Sequence, residues 1–310
     1  MVAAAFAIMC LIFGTTFLAI KIGVEAGLPP FLSAGLRFVA AGALMFAWMW
    51  MKGRVKLSLL WRKEMLLTGM GLTFGTFATL YWAEQYVSSG VGAILSATGP
   101  LMIMIMQTAL LRQKTSLRIV AGYVVGFGGV VLVVLPGISF DGSALWLLGC
   151  MAVLVGELCY SAGALYSKKV INQFSDSDPV AINAVQMMYG GVLLLGLSAV
   201  TEPWKMGIST LDWQPAILSL LYLTVIGSMV GHSLFYWIMS RTNPLFPATW
   251  LYISPPIAVV LGAVLYNEHV SWMTWTGVVL IVSGLLAMND KVMSAFRAGI
   301  RKVQFKARVG

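Results

Sequence analysis

The stretch YWAEQYVSSGVGAILSATGPL, residues 81–101, returns in diluted form 155 residues later. The shift pairs Tyr81-Trp82 with Tyr236-Trp237, Ala93 with Ala248 and Pro100 with Pro255. Without a gap it goes on to pair Leu110 with Leu265, Ser116 with Ser271, Gly122 with Gly277, Val124 with Val279 and Gly129 with Gly284. Nearer the start, a shift of 147 sets Phe13-Gly14 on Tyr160-Ser161 and Lys21 on Lys168, so about eight residues of drift fall in between. The chain reads as a duplication.

Composition says what kind of unit is duplicated. The AVILMFWYC class makes up 59% of the 310 residues and charged residues only 10%, against about 25% charged in soluble proteins. So few charges cannot solvate a surface, which excludes a soluble globule and a disordered chain. Cys10, Cys150 and Cys159 are odd in number and lie in apolar runs, so neither a disulfide framework nor a metal site is expected. A bilayer core needs about 20 helical residues per crossing. Ten such segments are predicted, at 3–24, 31–51, 65–85, 91–111, 118–136, 144–167, 180–200, 215–239, 245–265 and 273–290. The expected fold is an all-α polytopic membrane protein. Its first segment lacks a basic leader region and is read as part of the mature chain.

Five crossings per half is an odd number, so the second half is expected to enter the membrane upside down. Residues 1–143 then form the first five-helix repeat, 144–290 the second, inverted repeat, and 291–310 a basic cytoplasmic tail. Seventeen of the 20 Lys and Arg fall in one set of connections and in that tail, which predicts cytoplasmic termini. Helix four ends in Arg112-Gln113-Lys114, while the equivalent point on helix nine reads Asn267-Glu268-His269. This exchange of charge is what inversion under the positive-inside bias requires. The net charge of +9 is thus a topology signal, not a nucleic-acid one, and the tail suits anionic lipid headgroups.

The stretches FGTTFLAIKIGVEAGLPPFLSAGLRFVAAGALM (13–45), 81–101 and YISPPIAVVLGAVLYNEHVSWMTWTGVVLIVSGLL (252–286) resemble the drug/metabolite transporter superfamily in its bacterial ten-helix EamA branch. The likeness covers essentially the whole chain. It implies two inverted five-helix halves around a central cavity, export of amino acids, related metabolites or drugs, and a bacterial inner-membrane location. A family glutamate that closes the fourth helix of each half matches Glu268, but its first-half position holds Gln113, which favours a structural cap.

Periodicity nominates the lining of the route. Gly92, Ser96, Gly99, Ile103 and Gln107 form a small, weakly polar stripe on helix four, and Ser228, His232 and Phe235 or Tyr236 a related one on helix eight. Small residues also serve close packing, the reading preferred for Gly71/Gly75 and Gly122/Gly126/Gly129. Pro100 and Pro255-Pro256 lie well inside their spans and are expected to break helices that face the central site. Glu157 is the deepest charge, with Tyr160 and Ser161 on its face. It either binds a substrate ammonium or coupling proton, or makes a structural hydrogen bond. Arg37 either snorkels outward or meets a substrate carboxylate. Lys21 and Glu25, four apart, suit a rim ion pair. His232 suits a satisfied structural role, Tyr81, Trp82, Tyr236 and Trp237 interfacial anchoring or cavity lining, and Tyr252 is a further cavity candidate.

Enzyme motifs such as HExxH, G-x-S-x-G and GxxxxGK[ST] do not occur in the sequence, so an enzyme is not expected, nor a cofactor. A phosphate-bearing substrate would call for several intramembrane bases. One carboxylate, one or two bases and many aromatic rings suit a zwitterion, so amino acids with apolar or aromatic side chains are the first expectation. Hydrophobic cationic drugs are the alternative. A monomer is the expected functional unit, with a proton as the candidate coupling ion.

Overall fold

The computed structural model of the chain describes residues 1–87, 89–110, 112, 115–137, 143–202, 211–257 and 271–288. Gln113, Lys114, Lys205, 267–269 and the tail 291–310 lie outside the described residues, as do the last parts of the segments expected at 245–265 and 273–290. Among the described residues the secondary structure is helical, with no strand.

Helix α1 spans Val2–Glu25 and α2 Pro30–Met51. Helix α3 covers 63–83 and α4 covers 89–110, with a turn at 97–98. Then follow α5 (Leu117–Val134), α6 (Ala144–Gln173), α7 (Pro179–Thr201) and α8 (Trp213–Arg241). Helix α9 begins as Leu245–Ala248 and continues over 250–257, and α10 is Trp272–Met288. Seven of these, α1, α2, α4 from Val91, α5, α6, α7 and α8, are long and apolar enough to cross a membrane, and the 17-residue α10 is a shorter apolar helix. Their outward side chains fit lipid: Leu11, Leu44 and Leu147 are more than half exposed.

Local chemistry sets the ends. Pro30 and Pro179 each sit at the first helical turn, where a missing N–H costs nothing. Asp178 accepts from Val180 N at 2.9 Å to cap α7. The α2 cap is borrowed: Phe31 N and Leu32 N donate to the two carboxylate oxygens of Glu202 at 2.7 and 2.9 Å. Gly27 and Gly53 close α1 and α2 at φ of 91° and 66°, a backbone region that favours glycine.

Helix α6 runs past its expected end at 167 to Gln173, so Lys168 and Lys169 lie in a helix and not in a connection. The ammonium of Lys168 is engaged within this extension. It donates to the carbonyls of Met239 and Ser240 at 2.9 and 3.1 Å, at the last turn of α8, where cation and helix dipole agree.

Helices pack through the glycines the sequence assigned to packing. A Cβ at Gly129 would lie 2.6 Å from the Gly277 carbonyl oxygen, and one at Gly122 2.9 Å from that of Gly284, so α5 and α10 touch backbone to backbone. Likewise Gly42 meets the Ala184 carbonyl and Gly191 that of Gly35, joining α2 to α7. In both pairs residue numbers rise on one helix as they fall on the other, so the partners are antiparallel.

Contacts recur at fixed offsets between the halves. Gly122–Gly284 becomes Gly277–Gly129 under the 155-residue shift, and Gly35–Gly191 becomes Ala184–Gly42 under a shift of 149. Helices α3 and α8 each hold a π-helical segment, Gly69–Gly75 and Leu223–His232, which overlap under the same 155. The hydrogen bond from Thr73 Oγ1 to Gln186 Oε1, 2.7 Å, has as its counterpart that from Arg37 Nε to Ser228 Oγ, 3.1 Å.

Candidate functional site

One cavity of about 60 Å³ lies where α1, α2, α3, α4, α6, α8 and α9 converge. Helix α1 contributes Phe13, Thr16, Phe17 and Ile20, which recur every three or four residues along one face. Helix α3 adds Leu72, Thr76, Phe77 and Leu80. The polar groups come from six helices: Thr16 on α1, Arg37 on α2, Thr76 on α3, Ser96 on α4, Glu157 and Tyr160 on α6, and His232 on α8.

Arg37 is only 1% exposed and does not snorkel. Besides its bond to Ser228 it donates from Nη1 to the Tyr81 hydroxyl at 3.0 Å. Its guanidinium lies over the rings of Phe38 and Phe77, 4.4 and 5.2 Å from their centroids. These contacts fix the fork and hold a buried cation without a carboxylate partner. The one ion pair among the described residues is Lys21–Glu25, 3.7 Å, at an exposed rim.

Glu157, in the lining of the same cavity, is buried as well. Ser96 hydrogen-bonds its carboxyl, while its Oε2 has no hydrogen-bond partner. That oxygen rests against Gly99, where a Cβ would collide with it. Gly99 stands just past the turn at 97–98 that interrupts α4, and its carbonyl accepts from Ser161 Oγ at 3.2 Å. Ser161 therefore braces the break and does not line the cavity.

His232 ends the π segment of α8. Its Nδ1 lies 3.0 Å from the Gly227 carbonyl. A carbonyl can only accept, so the ring carries Nδ1–H and, when neutral, keeps Nε2 as an acceptor. The rings of Phe13, Phe38 and Phe77 pack around it at 5.2–5.9 Å.

The prolines act differently from one another. Pro100 follows the α4 turn at 97–98, as a break requires, whereas Pro255 and Pro256 sit inside a continuous helical run, 250–257, whose interruption comes earlier, at Thr249. Each proline still strips a donor from the carbonyl four residues upstream. For Pro100 that is Ser96 and for Pro255 it is Leu251, and both residues line the cavity.

Of the nominated side chains, the cavity thus gathers Arg37, Ser96, Glu157, Tyr160 and His232. Others lie elsewhere. Tyr236 is fully buried in packing, its hydroxyl 3.0 Å from Ser167 Oγ, and Phe235 takes the cavity face. Tyr252 packs against α5 and donates to the Tyr123 carbonyl at 3.1 Å. Gln107 is half-buried two turns beyond Gly99. Trp82 lines a separate groove of about 440 Å³ beside the α1–α2 turn, with Gln85, Thr201 and Glu202. Trp250 and Glu84 went unnamed in the sequence reading. Trp250 stacks on Phe13 at 4.6 Å and lines the cavity. Glu84, one residue past α3, keeps both carboxylate oxygens buried without a hydrogen-bond partner.

Known proteins resemble this chain. The sequence profile of the EamA-like transporter family matches twice, over 1–135 and 147–289. The chain is 27% identical to the inner membrane transporter YedA of Escherichia coli over 90% of its own length and 87% of the relative's. It is 28% identical to a probable amino-acid metabolite efflux pump of Salmonella typhimurium, over 90% and 91%. A solved crystal structure superposes with a TM-score of 0.75 at 18% identity, covering 95% of this chain and 98% of the other, and shares the fold. Apolar helices and relatives together make this a multi-pass protein of a bacterial inner membrane. The chain belongs to the EamA-like transporter family.

Proposed function

We propose that the protein is an alternating-access exporter of zwitterionic amino acids with apolar or aromatic side chains. The observation that carries this reading is one cavity whose lining holds a buried guanidinium and a buried carboxyl, Arg37 and Glu157, together with aromatic rings. Arg37 presents donors to a substrate carboxylate, Glu157 an acceptor to its ammonium, and Phe13, Phe17 and Trp250 an apolar wall to its side chain. The cavity has room for a few waters, so a substrate is admitted only as the helices part. A hydrophobic cation is the second reading, favoured by Glu157 and the rings. The positive charge of Arg37 in the same small cavity opposes it.

The architecture behind this function is ten crossings in two inverted five-helix repeats, 1–143 and 144–290, with cytoplasmic termini and a monomer as the working unit. Two family matches, recurring contacts and the antiparallel packing of α2 with α7 and α5 with α10 support it. Helices related by an axis in the membrane plane must run antiparallel where they meet on that axis. Flux of labelled phenylalanine against labelled tetraphenylphosphonium in proteoliposomes tests the substrate. Carriage of the cation with no amino-acid flux overturns the amino-acid reading.

A further inference from the structure

Two lysines at equivalent places in the halves do different things. Lys168 on α6 is clamped to the carbonyls of Met239 and Ser240 at the end of α8. Lys21, its counterpart at offset 147, should by the same relation reach Glu84 and Gln85 at the end of α3, the counterparts of Met239 and Ser240 at offset 155. It does not. Lys21 points to the rim and pairs with Glu25, both side chains more than half exposed. The end of α3 is left with a buried carboxyl, Glu84, whose two oxygens have no hydrogen-bond partner. Trp82 and Gln85 of the same helix end line the groove of about 440 Å³, while at the other end Lys168 is engaged and Arg241 lies over Trp237 at 3.9 Å.

An inverted pair in which one half is latched and the other open has an alternative state, reached when the halves exchange conformations. On that basis we propose that Glu84 is the proton-coupling site of the carrier, and that Lys21 is the cation that replaces its proton when the α3 end closes. The inference rests on the transporter reading above and adds a coupling residue to it. In the state seen here Glu84 holds a proton, because a buried carboxylate with no hydrogen bond is costly. When Lys168 lets go and Lys21 swings from Glu25 onto Glu84, the carboxyl gives its proton to cavity water on the opposite side, and the ammonium takes its place. One proton thus enters the cell for each return of the carrier, and substrate leaves on the other stroke.

The surroundings of Glu84 fit this role. Lys21 from α1 and Arg37 from α2 are the charged groups that act on it. Tyr81, on its own helix, feels both Arg37 and Glu84 and donates no bond to the carboxyl. Helix α6 meets the same turn through Gly149, against Val87. Glu202 is occupied with the α2 N-terminus. Arg37 therefore links the two sites, because the guanidinium placed to receive a substrate carboxylate also acts on Glu84.

Infrared titration of the detergent-purified full chain reads protonated carboxyls directly and needs no substrate. The parent should show a carbonyl stretch from a protonated carboxyl at neutral pH that loses its Glu84 component in Glu84→Gln and keeps that component in Glu157→Gln. Lys21→Gln should hold that stretch to higher pH than the parent does. Inside-out vesicles with an acidic interior should accumulate labelled phenylalanine with the parent and only equilibrate it with Glu84→Gln. A spectrum unchanged in monodisperse Glu84→Gln protein overturns the proton site. Parent vesicles that carry no phenylalanine, together with loss of that component in Glu84→Gln, uphold the proton site and overturn the substrate reading instead.

Discussion

Arg37 donates through Nε to Ser228 Oγ at 3.1 Å, tying α2 of the first half to the π-helical segment of α8 in the second. Its counterpart at the same offsets is a neutral pair, Thr73 and Gln186, so the duplicated scaffold carries one cation where symmetry would allow two. Arg37→Gln should therefore be tolerated by the fold, since the second half already places Gln at that position. The variant loses a charge-assisted contact worth about 1.5–3 kcal/mol, which predicts a rise of about 10- to 100-fold in KM for phenylalanine. Phenylalanine amide, which lacks the carboxylate, should be carried by parent and variant at similar KM. Equal loss for acid and amide would remove Arg37 from substrate contact.

The glycine contacts predict a stability pattern. Gly129→Ala and Gly277→Ala each push a methyl to within 2.6 Å of a backbone oxygen on the facing helix. Overpacking of this kind costs about 1–3 kcal/mol, and each variant should melt earlier in detergent than the parent. Gly92→Ala and Gly128→Ala meet open space and should melt with the parent. A uniform response across the four would show that close backbone approach does not set the α5–α10 pairing.

Topology is checked by accessibility. With Cys10, Cys150 and Cys159 replaced, cysteines at Ser88, Gly142 and Trp213 should label from the periplasm, and those at Ser58, Ser116 and Ser175 only after permeabilisation. The reverse order would invert the orientation, and one side throughout would refute the ten crossings.

How much of this was legible in the sequence depended on what each residue answers to. Pro100 announced its break because proline acts on its own helix, whatever surrounds it. Pro255 and Pro256 lie in a helical run, 250–257, and the interruption falls upstream of them at Thr249. Helical rotation was harder. Tyr236 and Phe235 differ by about 100° around the axis, and a stripe read by periodicity could not choose between them. Lys168 read as a loop charge because its partners, two carbonyls 71 and 72 residues away, leave no local pattern. Glu84 went unnamed because nothing in its local sequence marks two carboxylate oxygens that the fold buries. Trp250 and Phe13 were hidden by abundance: in a chain this apolar, cavity aromatics and lipid-facing ones look alike.

The prolines predict a split between folding and transport. Pro100→Ala restores a donor to the Ser96 carbonyl, and Pro255→Ala one to that of Leu251, both on the cavity wall. Each should lower the maximal flux while leaving expression and detergent yield near the parent's. Normal flux in both variants would assign the prolines to packing.

Glu157 separates binding from bracing most sharply. Its carboxyl has one satisfied side, toward Ser96, and one free oxygen pressed on Gly99. If the free oxygen receives a substrate ammonium, Glu157→Gln keeps size and the Ser96 contact but removes the charge, so the maximal rate or the affinity for phenylalanine should fall at least about tenfold, the loss of one charge-assisted contact. A bracing role gives the opposite pattern. Glutamine then replaces the carboxyl without effect on flux, and only Glu157→Leu does harm, by stranding Ser96 at a cost of about 1–3 kcal/mol. Counterflow of labelled phenylalanine between about pH 5.5 and pH 8, in parent, Gln and Leu variants of matched monodisperse yield, decides between them. A Gln variant that matches the parent in rate, affinity and pH profile would take Glu157 out of the site and leave Arg37 and His232 as its polar anchors. Loss of amino-acid flux with tetraphenylphosphonium flux unchanged would place the two substrates on different groups, because a cation held by the rings alone does not feel the missing carboxylate.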